Sequence, residues 1–123
     1  MKATVCAICM PCIGWACDAG GTPMAPLSLG APEVSVSFGR PPVARPFSME
    51  LTFCEGAPDR FEIDVSMPAH QHGMNYSPKI SELGEGRFLV EGMFFHMPGV
   101  WQIRVDAETA RGPVGYVLDI RAQ

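Results

Sequence analysis

The chain has three histidines, and all of them fall within 27 residues: His70, His72 and His96. Four methionines lie in nearly the same window: Met67, Met74, Met93 and Met97. Imidazole and thioether together narrow the choice of metal. Thioether sulfur is too soft for calcium or magnesium and zinc rarely takes it, whereas Cu(I) accepts both donors. His70 and His72 are two residues apart, so an extended chain places both on one side, ~7 Å apart at the backbone and within reach of one ion. The pair lies in Met67-Pro68-Ala69-His70-Gln71-His72-Gly73-Met74. There Pro68 stops a strand and Gly73 permits a bend. The expectation is a copper site built from His70, His72 and His96, with Met67 and Met74 as auxiliary ligands. Methionine also fills cores well, and Met93 and Met97 are expected to do that. A blue-copper electron carrier would need a thiolate ligand. Cys54 is the sole candidate and lies far from the cluster in sequence.

The other cysteines sit in a segment that reads as an address. Met1-Lys2 precedes the uncharged stretch Ala3 to Ala16. A charged start, an apolar middle and small residues at the cut make a secretory signal over residues 1–16. Cys6, Cys9 and Cys12 have C-x2-C-x2-C spacing, which suits metal or cluster ligation. Inside a signal they serve instead as small hydrophobes. Gly14-Trp15-Ala16-Cys17 resembles a bacterial lipobox, so Cys17 is the candidate lipidated first residue of a membrane-anchored mature chain. The alternative is a plain cut after Ala16 or Ala19, and a Cys17 that is not lipidated is open to a disulfide with Cys54. Residues 17–32 are rich in Gly, Pro, Ala and Ser and are expected to form a flexible tether. The expected location is the periplasm or cell envelope.

The elements that must position the histidines are strands. In 123 residues, 47% are apolar and 18% charged, which allows one packed domain. Thirteen Gly and twelve Pro argue against a helical bundle. Period-two alternation runs through Val34-Val36-Phe38, Met49-Leu51-Phe53, Phe61-Ile63-Val65-Met67, Trp101-Ile103-Val105 and Tyr116-Leu118-Ile120. Residues 86–97 form a longer strand. Its alternation puts Phe88, Val90, Phe94 and His96 on one inward face. Residues 76–82 make a weaker edge strand. Glu55–Asp59, Gly84-Glu85-Gly86, Pro98-Gly99 and Arg111-Gly112-Pro113 supply turns between the runs. About seven strands over residues 33–123 point to an all-β fold, a small antiparallel immunoglobulin-like β-sandwich. Trp101, inward after a Pro-Gly turn, is expected to anchor its core.

Composition excludes several classes. The formal charge is −4 and the basic residues do not cluster in sequence, so there is no nucleic-acid footprint. After the first 20 residues no apolar run is long enough for a membrane span. No Ser/His/Asp set, paired carboxylates or phosphate-binding loop stands out, and no enzymatic activity is expected.

Met67-Pro68-x-His70-x-His72-Gly73-Met74, Gly86-Arg87-Phe88 and Phe95-His96-Met97-Pro98-Gly99-x-Trp101 together resemble the YtkA-like domain, a family related to FixH-type proteins. The resemblance covers roughly residues 33–121. It implies a small β-sandwich, export or lipid anchoring, and a part in copper handling or delivery. The implied partners are the copper ion itself and an envelope protein such as a copper oxidase or its assembly factors. A metal-free interaction module is the competing reading. It holds if the histidines point apart or are sealed against backbone partners.

Overall fold

A computed structural model describes residues 17, 21–70, 72–73 and 76–123. Ten strands form two antiparallel sheets. Seven are long: β3 (Val34–Ser37), β4 (Pro46–Phe53), β5 (Arg60–Met67), β7 (Lys79–Gly84), β8 (Arg87–Phe94), β9 (Gly99–Thr109) and β10 (Gly112–Ala122). Three are two-residue pieces: β1 (Thr22–Pro23), β2 (Ala25–Pro26) and β6 (His72–Gly73). One sheet has the order β1-β3-β4-β8-β7 and the other β2-β10-β9-β5-β6. The alternating apolar residues of both sheets meet between them. Val36, Leu51 and Val90 of one face Val65, Ile103, Val105 and Trp101 of the other in a single buried cluster. This is the small all-β sandwich that alternation called for, with its seven long strands.

Local chemistry explains the joints. Glu85 and Gly86 both have positive φ, 57° and 77°, and link Gly84 to Arg87 as a two-residue hairpin loop. Such loops match the twist of the strands they join. β7 lies at the sheet edge beside β8, as the weaker strand pattern implied. At its upstream end the Tyr76 hydroxyl donates to Phe94 O (2.6 Å) and accepts from Phe94 N (2.5 Å), so one phenol satisfies the last backbone pair of β8.

Residues 21–32 differ from the expected flexible tether. β1 pairs with β3 in one sheet and β2 with β10 in the other, so the segment straps one side of the sandwich. Between them Met24 is buried in the core, and its N–H donates to Val34 O at 2.9 Å. Leu27 N–H donates to Gly115 O at 2.8 Å. The Tyr116 hydroxyl, itself buried, donates to Pro32 O at 2.5 Å. Gly and Pro content suggests a linker, yet here the backbone hydrogen bonds are made and one methionine is buried.

β8 carries the irregularity that matters most for the site. Met49 pairs with Val90 but Phe47 pairs with Met93, so β8 holds one extra residue. That residue falls at a bulge, and Gly92 there has φ +82, a conformation glycine adopts freely. Past the bulge the alternation changes phase. Phe88 and Val90 point inward before it, and Met93 and Phe95 after it. Phe94 is therefore only partly buried and His96 is exposed. The expected inward face of Phe94 and His96 is corrected by that single inserted residue.

Candidate metal centre

The histidine segment folds back tightly on the strand it follows. β5 ends at Met67, Pro68–His70 form one turn of 3-10 helix, and His72–Gly73 return as β6 beside Ser66–Met67. His72 stands opposite Met67 in that pairing. The extended spacing assumed for His70 and His72 is thus replaced by a turn, because proline at position 68 cannot continue the ladder. Met74 and the side chains of His70 and His72 lie outside the described residues.

The Met67 side chain points into the core and is 1% exposed. Its Cε lies so close to Gly99 that a β-carbon there would sit 2.6 Å from it. Glycine at 99, with φ +132, is what lets the thioether fill this space. Met67 thus packs as a floor beneath the histidine turn. Met93 is fully buried and Met97 is partly buried against the core, as expected of both.

His96 reaches the same end from the other sheet. The indole of Trp101 is 1% exposed and donates from Nε1 to Met97 O at 3.0 Å, clamping the 96–99 turn. Its ring stacks on Phe95 (5.2 Å, 17°), and His96 meets it edge to face (5.0 Å, 78°). Phe47 and Phe38 extend this aromatic row, at 5.0 Å from Phe95 and 6.4 Å from Phe47. Trp101 is the core anchor its position implied, and it also fixes the backbone that presents His96. Ala44 N–H donates to Phe95 O at 2.8 Å, from a residue held at φ 59.

The fold therefore brings the backbone of the 68–73 segment and the turn bearing His96 to one end of the sandwich. The 3-10 turn packs against β9, which begins three residues after His96. Of the three imidazoles proposed as ligands, the described side chains include only His96. Among the described residues no three of His, Cys, Asp or Glu gather around a common point.

Cys17 follows the disulfide alternative. It is bonded to Cys54 across 37 residues, with the Cα atoms 5.0 Å apart. The Ser35 hydroxyl lies 3.4 Å from the Cys17 sulfur. A sulfur bonded to Cys54 carries no thioether-linked lipid, so this bond and lipidation of Cys17 exclude one another. Ser35 and Thr52, outward residues of β3 and β4, are buried beneath this corner.

The sequence reading missed Tyr76 and Tyr116 as fasteners. Burial raises the pKa of both above the ordinary tyrosine value, and for Tyr116 the charge of Glu55 adds to it. Their one legible signal was a lone tyrosine at the margin of a strand run. No protein-family model matches this chain, and no curated protein or solved structure matches it. Among the described residues no helix is long and apolar enough to cross a membrane.

Proposed function

We propose that the domain binds copper at the histidine-bearing end of the sandwich and serves copper handling or delivery in the cell envelope, in the manner the YtkA-like motif implies. The observation that carries this reading is the meeting at one end of the 68–73 turn, with His70 and His72, and of exposed His96 held on Trp101. The two segments come from different parts of the chain, and the strand topology joins them. In this reading the three imidazoles are the ligands, Met74 is the auxiliary thioether and Met67 supports the site from within the core. The Cys17–Cys54 bond accords with export to an oxidising compartment, where imidazole and thioether ligands outlast thiolates.

The test is calorimetric titration of the disulfide-intact chain with Cu(II) and with Cu(I) held in a weak competing complex. One ion should bind per chain, and His70→Ala with His72→Ala should weaken binding by about 100-fold or more, since even outer-shell losses cost 10–100-fold. Unchanged affinity in that double variant leaves the metal-free interaction module. That reading draws on the packing of Met67 and Met97 into the core.

A further inference from the structure

The two ends of the sandwich differ in charge in a way the linear sequence conceals. The segments that connect strands at the histidine end are 38–45, 68–78 and 95–98, together with the last residues of β10 at 120–123. They contain no Asp or Glu, although the chain has 13 acids, and they hold all three histidines with Arg40, Arg45 and Arg121. The loops at the opposite end, 27–33, 54–59, 85–86 and 110–111, hold Glu33, Glu55, Asp59 and Glu85 with Arg111, and the strand residues beside them add Arg60 and Arg87 together with Glu62, Glu82 and Glu108. The molecule is a dipole with a basic pole, inside a chain of net charge −4.

The three arginines are exposed. Among the described residues the ion pairs are Arg87–Glu50 and Arg104–Asp106, neither at this pole. Arg40 donates to the Gln123 side-chain oxygen, a neutral acceptor, at 3.3 Å. Arg121 pairs in register with Val100, an exposed apolar residue. Six of the twelve prolines, Pro41, Pro42, Pro46, Pro68, Pro78 and Pro98, lie in or beside these segments and fix their φ angles. A surface stiffened in this way loses little freedom when it is covered.

We propose that this pole is a docking surface for an acidic patch on a partner protein. Arginine is enriched at protein interfaces, and here Arg121 stands beside exposed apolar Val100. Other polyanions fit less well. Surfaces that hold anionic lipid gather four to eight basic residues, and the rest of this chain is net acidic and would be repelled. Nucleic-acid binding draws on many phosphate contacts, and three arginines supply few. Docked by this pole, the domain presents His96 directly to its partner. The inference rests on the arginines and holds with or without a bound metal.

The experiment uses the full disulfide-intact chain in chelator, so that copper plays no part. Its probe is a fluorescent oligoglutamate peptide, with anionic phosphatidylglycerol vesicles and single-stranded DNA as alternative polyanions. Oligoglutamate should bind, and binding should weaken as salt rises. Arg40→Glu, Arg45→Glu and Arg121→Glu together should cost about tenfold or more. Arg60→Glu with Arg111→Glu, at the other end, should leave affinity within about twofold. If the triple variant fails to fold, Arg45→Gln with Arg121→Gln should still weaken binding. Equal losses at both ends, no binding of oligoglutamate, or a preference for vesicles or DNA would overturn the proposal. Copper affinity retained in the arginine variants separates it from the metal reading.

Discussion

Three side chains fasten the two ends of the sandwich, Trp101 and Tyr76 at the histidine end and Tyr116 at the opposite one. Trp101 is buried, stacks on Phe95 and donates to Met97 O, so its loss removes both packing and a hydrogen bond. Trp101→Ala should destabilise the domain by about 3–5 kcal/mol, measured by denaturant unfolding. A loss below ~1 kcal/mol would mean that the indole does not anchor the core. The tyrosines give a pH signature. Burial favours the neutral phenols of Tyr76 and Tyr116 in the folded state, so their folded pKa values lie above the unfolded value of about 10. Their contribution is fully present below that value and is lost as pH rises through the folded pKa values. Unfolding free energy should therefore fall with increasing alkalinity above pH ~10, and less steeply in Tyr116→Phe. A flat alkaline limb in the wild type would contradict this. At this scale the sequence was partly legible. Inward Trp101 followed from alternation after Pro98-Gly99. The Nε1 bond to Met97 O did not, because it depends on the turn's backbone and not on residue order.

At the scale of elements, the bulge in β8 and the strap of residues 21–32 separate what period two reveals from what it hides. Phe61 to Met67 and Trp101 to Val105 keep strict alternation, and their strands were readable directly. Residues 86–97 look equally regular until Gly92, where one inserted residue reverses the phase and turns His96 outward. An isolated glycine within a strand run was the available sign. Gly92 has no neighbour within 4 Å of the place a β-carbon would occupy, so Gly92→Ala tests backbone strain alone. It should cost ~1 kcal/mol in a denaturant titration, and an unchanged midpoint would show that the positive φ is not needed there. The strap escaped notice because Gly, Pro and Ala mark linkers by composition, while the fixing groups are distant: Val34 O, Gly115 O and Cys54. Removing the disulfide with Cys17→Ser and Cys54→Ser should lower stability by roughly 3–4 kcal/mol, by closure of a loop of this length. Equal stability of reduced and oxidised chains, followed by thermal unfolding, would mean that the staple constrains nothing.

At the scale of the whole molecule, the sandwich separates its chemistry by end. One pole gathers every histidine and excludes acids, and the other gathers Glu33, Glu55, Asp59 and Glu85. The segregation was invisible in linear sequence because contributing residues such as Arg40 and Gln123 lie 83 positions apart and meet only through strand connectivity. The histidine window itself was legible, and its local geometry was not. A proline-initiated 3-10 turn stands where an extended chain was expected.

In the proposed function, imidazoles from both segments hold one copper ion. X-ray absorption at the copper edge, on protein loaded with one equivalent of copper, tests it most directly. Imidazole scattering should come from three ligands, reduced by about one ring in His96→Ala and by about two in the His70→Ala, His72→Ala double variant, as loss of individual nitrogen ligands requires. A spectrum unchanged by removal of all three histidines would contradict it.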